Sequence, residues 1–405
     1  MKTRGAVLGF GVLAILAGLA LGMFAALAGG SPGASGLPPA GSGLVAVIGS
    51  SPPSVGPDPA APSRPAPPTP AASPSVSWPS QTPGPNLVPA PLTGRLVTPA
   101  AAARHPIAVM VDDHSDARPQ SGFSAASVVW HAPAEGGIPR YMLVFQEDIP
   151  GDVGPVRSAR SYYIAWAAEL RALYVHSGGS PGALATLRAK GNGQLVYNAD
   201  EFRWGGSFRR VTFNFAPHNL YSTGKQLRAL ATTRGASDKA IESPWVFGPD
   251  AALRHRPVGG QIQVSYLRST IRYDYDRRSN TYLRAVTGEK RQTDRASKLR
   301  VAPKNVVVML VRFGPLNDGT SKQRLEADVI GSGTAWVATN GITVKGTWRK
   351  ASEMGPTRFF DGAGKPLKLT VGQTFIQVMP LGSKVTFSAG KPPPIDPFPA
   401  GSDPR

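Results

Sequence analysis

The sequence predicts a mixed α/β domain followed by a mainly antiparallel β domain, both carried behind an apolar N-terminal segment and a long Pro-rich stretch. Three observations carry that expectation. Strand-like and helix-like patterns alternate from Pro106 to about residue 255. From about residue 260 to 388 the pattern is almost entirely that of strands. Residues 31–100 hold 19 of the 41 prolines in the 405-residue chain.

In chain order, Lys2 and Arg4 precede an uncharged run from Gly5 to Gly30. About 20 apolar residues suffice to cross a bilayer. Positive charges before the run and none until Asp58 after it place the N-terminus in the cytoplasm and the body outside. The expectation is a single-pass cell-membrane protein held through residues 1–30. Ala26-Leu27-Ala28 also fits the pattern before a signal-peptidase cut, and cleavage after Ala28 would give a secreted form. Residues 31–103, with only Asp58, Arg64 and Arg95 charged, read as a disordered, partly polyproline II stalk. A tail over 389–405 repeats that chemistry around Lys391-Pro392-Pro393-Pro394.

The α/β domain spans 104–258. Ile107–Val111, Ser127–Trp130, Tyr141–Phe145 and Leu173–Val175 read as short buried strands. Ala159–Leu170 has helical spacing, and Ser180-Pro181 opens a helix that ends near Lys190-Gly191. The β domain spans 259–388, with strands at Gln261–Tyr266, Arg272–Asp276, Thr281–Arg284, Asn305–Val311 and Thr374–Val378. Asn340-Gly341 signals a two-residue hairpin turn within it.

Composition narrows the chemistry. The net charge of +19 lies almost wholly on the body and attracts polyanions. Outside the cytoplasm these are anionic lipid headgroups and wall polymers, so no nucleic-acid partner is expected. There is no cysteine, which removes disulfides, Cys-ligated zinc, Cys nucleophiles and lipidation on cysteine.

Several short motifs bear titratable groups. At Leu173–Pro181 a strand ends at His176, glycines turn the chain and Ser180 begins a helix, which would suit an anion. In Gly154–Arg160, Ser158 as a helix cap would set Arg157 and Arg160 beside a positive helix end, ready to grip carboxylate or phosphate. Asp112, Asp113, Glu135 and Glu147 are the internal competitors for those arginines. His114, His176 and His218 stand in separate motifs, and their convergence with Asp112 or Asp113 would allow acid–base chemistry. No close metal spacing or cofactor motif occurs, so neither a metal nor a cofactor is expected. Ser158 and Ser180 lack the glycine elbow that exposes a hydrolase nucleophile.

An ordered series then stands out: Asp112-Asp113-His114, Ala117 to Gly122, Glu135 to Ile138 with Arg140, Gly154 to Arg160, His176 with Gly178-Gly179-Ser180, and Ala216 to Tyr221. Lys304 to Val308, Gly346 to Lys350 and Gly372 to Thr374 follow. The series resembles the YerB-like family of lipoprotein-like bacterial proteins, classed as domain of unknown function 3048. The resemblance implies a layered α/β N-terminal domain, a β-rich C-terminal domain and an extracytoplasmic setting, with no assigned reaction. Members usually read Asn where this chain has Asp113, and Ala-Asp-Val-Val-Tyr-Glu where it has Ala126 to His131; they also carry a lipid-accepting Cys, absent here.

The ligand-binding candidates are therefore Asp112, His114, Arg118, Glu135, Arg140, Arg157, Arg160, His176, Ser180, His218 and Asn219. The leading expectation is a membrane-anchored envelope protein that binds an anionic ligand, such as a wall-polymer fragment, in its N-terminal domain. The alternatives are an envelope hydrolase or transferase using His176 or His218 with Asp112 or Asp113, and a scaffold for another envelope protein.

Overall fold

The computed structural model describes residues 86–393. The N-terminal segment, most of the stalk and the end of the tail lie outside the described residues, and so does the expectation of a membrane anchor. Among the described residues no helix is long and apolar enough to cross a membrane.

The stalk expected up to residue 103 gives way earlier to folded chain. Val88–Pro89 pairs with Leu96–Val97, and Thr98 caps a short helix at Pro99–Ala102. Leu92 is buried in the core, and the Thr93 hydroxyl donates to Glu147 at 2.6 Å. One apolar and one polar anchor dock this segment despite its prolines.

The body is strand-rich. Its α/β part contains β1 (Ile107–Asp112), β2 (Val128–Pro133), β3 (Pro139–Phe145), α1 (Ser161–Ala168), β4 (Leu173–His176), α2 (Pro181–Lys190), β5 (Tyr197–Asp200) and α3 (Gly224–Thr233). Beyond it come β6 (Gln261–Ser265), β7 (Thr270–Asp276), β8 (Thr281–Val286) and β9 (Asn305–Val311). The last strands are β10 (Gly331–Thr339), β11 (Ile342–Lys350), β12 (Arg358–Phe360), β13 (Thr374–Pro380) and β14 (Val385–Ser388).

Ten of these strands form one mixed sheet in the order β12-β11-β10-β9-β13-β2-β3-β1-β4-β5. The boundary expected at 258/259 falls in a loop, and the sheet draws strands from both sides of it. The C-terminal strands are not all antiparallel, because β13 runs parallel to both β9 and β2. The separate sheet β8-β7-β6-β14 is antiparallel, as the alternation in its sequence predicts.

Alternate residues of β1 feed two cores, as the period of two in a strand requires. Ile107, Val109 and Val111 pack with Leu227 and Leu230 of α3 and with Ile262, Ile271 and Tyr273 of the four-stranded sheet. Ala108 and Met110 pack on the other face with Tyr162, Trp166 and Leu187 of α1 and α2. Helix α1 is buried on nearly every side, which is why its sequence shows no polar stripe. Trp166 stacks on Trp130 with ring centroids 4.6 Å apart. Each such large side chain contributes roughly 1.5–3 kcal/mol on burial.

Asn340 (φ 51°) and Gly341 (φ 77°) turn the β10–β11 hairpin, as the Asn-Gly signal predicts. A Cβ on Gly341 would stand 2.4 Å from the Tyr275 ring and 2.6 Å from Pro257. Gly341→Ala is expected to destabilise the protein by more than about 1 kcal/mol, from strain in the left-handed region plus this clash. Urea unfolding checks it; an unchanged midpoint would contradict this account of the turn.

Candidate functional site

Strand β1 lies between antiparallel β3 and parallel β4, so its C-terminal end sits where neighbouring strands change direction. Crevices outside the carboxyl ends of parallel strands are where α/β sheets accept ligands. Asp112, Asp113 and His114 leave β1 at that point.

The buried Asp112 gathers three groups. Its Oδ2 accepts from His218 Nδ1 at 2.7 Å and stands 3.0 Å from Arg157 Nε, and its Oδ1 accepts from the His114 backbone N–H at 3.1 Å. The Arg157 contact is an ion pair rather than an aligned hydrogen bond, since Nε itself has no hydrogen-bond partner. The His114 ring stacks on His218 with centroids 4.8 Å apart. His218 arrives on the loop closed by Arg209–Arg210 pairing with Leu220–Tyr221.

Asp113 is the hub of a second, fully buried network. It accepts from Tyr141 Oη at 3.0 Å, from Arg118 at 3.1 Å and from His131 Nε2 at 3.0 Å. Burial opposes its ionisation, but the His131 hydrogen bond and the Arg118 and Arg284 charges hold its carboxyl below the usual range. Burial pushes the His131 imidazole down toward its neutral form. The neutral ring donates from Nε2 and needs a donor at Nδ1, where the Gln377 amide lies at 3.0 Å; turned about its last bond, that amide supplies one. Gln377 contacts Tyr273 Oη at 2.7 Å, and Arg284 Nε donates to the same hydroxyl at 3.0 Å. The β2–β13 register, with His131 opposite Gln377, is what completes this chain.

Glu135, Arg140 and Arg160 satisfy one another. Glu135 accepts from Arg140 at 2.6 Å and from Arg160 Nε at 3.0 Å. Arg140 also donates to the Ser158 carbonyl at 3.0 Å. Helix α1 begins at Ser161 with Arg160 as its N-cap, so Ser158 does not cap it. Arg160 is buried in this internal cluster, away from solvent.

The remaining candidates stand apart. His176 is buried between the Gly178 carbonyl at 2.8 Å and Asn198 Oδ1 at 2.7 Å. The Gly178 N–H donates to Asp200 and the Ser180 N–H to the Ala159 carbonyl, so the glycine turn expected to cradle an anion is occupied internally. The buried Ser180 Oγ makes no hydrogen bond. Asn219 accepts from Arg210 at 3.0 Å within its hairpin. Of the pairs suited to acid–base chemistry, His218 touches Asp112, and His176 bonds to neither Asp112 nor Asp113.

A cleft of about 410 Å³ opens beside β1, lined by Asp113, His114, Ser115, Arg118, Ile138, Pro139, Arg268, Ser269 and Thr287. Arg118 donates to Asp113 and to the Thr287 carbonyl at 2.8 Å, while its Nε is buried without a partner. The Ser269 hydroxyl is likewise buried and unpartnered. Arg268 Nε donates to the Gly136 carbonyl at 2.8 Å, and a side chain at Gly137 would strike Leu267. That close approach is what the Gly136-Gly137 pair permits. Arg268 and Ser269 escaped the sequence reading because they sit in a turn between two ordinary strands; only the fold brings that turn to β1. A cavity of about 430 Å³ under Trp336 and Phe387 has Lys345 as its sole charged lining residue, so the chemistry concentrates in the cleft beside β1.

The fold and this buried polar centre are those of a two-domain family. The chain belongs to the family described as "Protein of unknown function (DUF3048)", whose N-terminal domain matches residues 92–237 and whose C-terminal domain matches residues 262–376. YerB of Bacillus subtilis (strain 168), a lipoprotein by name, is 31% identical over 311 residues, covering 75% of this chain and 89% of that protein. The crystal structure of YerB from Bacillus subtilis superposes with a TM-score of 0.66 at 28% identity, covering 74% of this chain and 99% of that one.

Proposed function

We propose that this is an extracytoplasmic, membrane-associated envelope protein that binds an anionic ligand, such as a wall-polymer fragment, in the cleft between Arg118 and Arg268. The lipoprotein name of its relative supports membrane association; with no cysteine to carry lipid, this chain would be held through residues 1–30 instead. The observation that carries the reading is the lining of the cleft, where the guanidinium groups of Arg118 and Arg268 stand at one opening with His114 and Ser269. Guanidinium groups grip carboxylate and phosphate oxygens with charge-assisted hydrogen bonds. Arg157 and Arg160, the first choices from sequence, are paired with carboxylates, as Arg118 is with Asp113, but unlike Arg118 they do not line the cleft. The helices on one face and α3 with the small sheet on the other give the layered support that keeps the cleft walls fixed.

Arg268 is exposed, so its loss leaves the core intact. Arg268→Ala is expected to weaken binding of anionic wall fragments to the full-length protein about tenfold, the scale of one charge-assisted hydrogen bond. Calorimetry checks this, with the exposed Arg254→Ala as control. Equal affinities for wild type and Arg268→Ala would sink the proposal.

A further inference from the structure

We infer that His114, Asp116 and His218 form a binding site for a divalent transition-metal ion of the zinc type at the C-terminal end of β1. The inference stands independently of the anion reading. One ligand atom from each of the three residues lies within 4.8 Å of the other two. His114 Nδ1 and Asp116 Oδ2 are 3.5 Å apart. In a tetrahedral zinc site with bonds near 2.0–2.1 Å, donor atoms are separated by about 3.3 Å. That pair already has close to the required spacing; to offer Nδ1 to an ion, His114 gives up the hydrogen bond it accepts from the Asp116 backbone N–H at 3.2 Å and its ring swings out of its stack on His218, so that both imidazoles face one centre.

The second observation is the orientation of His218. Its Nδ1 donates to the buried Asp112 carboxylate at 2.7 Å, which fixes the tautomer and leaves Nε2 as the lone-pair nitrogen. Metal-binding histidines almost always carry such a carboxylate on the other nitrogen. Among the described residues His218 Nε2 makes no hydrogen bond, although its ring is largely buried. Phe215 packs edge-on to that ring at 5.5 Å. Asp116 is also prepared: Ser115 Oγ donates to Oδ1 at 3.1 Å, leaving Oδ2 for an ion, and Asn214 holds the Asp116 carbonyl at 2.8 Å. Arg157 offsets the Asp112 charge, so Asp116 supplies the net negative charge of the ligand set. Two imidazoles and one carboxylate suit zinc over calcium or magnesium. Three protein ligands leave a fourth position for water or a ligand oxygen, at the mouth of the cleft that His114 also lines.

The ligands are two and 104 positions from His114, a spacing that no local metal motif contains. The test is titration of untagged, metal-free, full-length protein with Zn²⁺ by calorimetry and with Co²⁺ by visible absorption. Expected are one site per chain and tetrahedral Co²⁺ bands. His114→Ala and His218→Ala should lose at least about 100-fold in affinity, and Asp112→Asn about 10- to 100-fold. The exposed His255→Ala should bind as wild type, and His114→Ala, at a half-exposed position, guards against misreading a folding defect. Absence of saturable one-to-one binding, or wild-type affinity in His114→Ala and His218→Ala, would overturn the inference.

Discussion

Asp113→Ala is expected to lower the free energy of unfolding by about 3–5 kcal/mol, the scale for removing one partner from a buried ionic network. The substitution strips the carboxylate that bonds to Arg118, His131 and Tyr141 together. It also removes the negative charge that faces Arg284, which is wholly buried among the rings of Tyr141, Tyr273 and Phe375. A companion variant makes the test specific. The pattern that the sequence resembles implies Asn at the position of Asp113 and Glu at that of His131, side chains that here lie 3.0 Å apart. Asp113→Asn combined with His131→Glu moves the carboxylate across one hydrogen bond and should recover most of the loss suffered by Asp113→Asn alone. Guanidinium denaturation of the four proteins forms a double-mutant cycle; additive losses would refute the charge-exchange account.

The acid limb of stability is expected to depend on Glu135. Burial works against its ionisation, but Arg140 and Arg160 bring its carboxyl down from an ordinary 4.5 to about 2. The folded value is below the unfolded one, so the protein gains stability from this group above pH 4.5 and loses it as pH falls toward 2. At about 1.4 kcal/mol per unit the contribution is roughly 3 kcal/mol. Glu135→Gln should remove it at neutral pH and flatten the decline between pH 4.5 and 2. Urea midpoints at several pH values decide the matter, and parallel curves for wild type and variant would exclude the cluster as the source.

Elements with a strong local signature were legible before the fold was known. β1, β9, α2 and the Asn340-Gly341 turn fall where apolar runs, an N-terminal proline and a turn pair put them. What pairs with what was not legible, because β13 meets β2 across some 250 residues of chain and no local pattern encodes that register. The same limit shaped the site. Glu135, Arg140 and Arg160 carry the chemistry of a ligand grip, yet they close on one another, and residue type alone does not distinguish the two outcomes. Asp113 and His131 stood out as departures from the family pattern at separate places. Their contact emerges only when β1 and β2 flank β3, with Val111 and His131 both opposite Tyr141, and His218 and Arg268 become visible as neighbours of His114 only in three dimensions.

The position of β13 also governs the order in which the body can be completed during synthesis. β2 and β9 are made early and midway, and each waits for Thr374–Pro380 to fill the gap between them. Until that last stretch arrives, both present bare strand edges, the kind of surface that recruits other chains. A polypeptide made from its N-terminus would therefore seal its main sheet only near the end of synthesis.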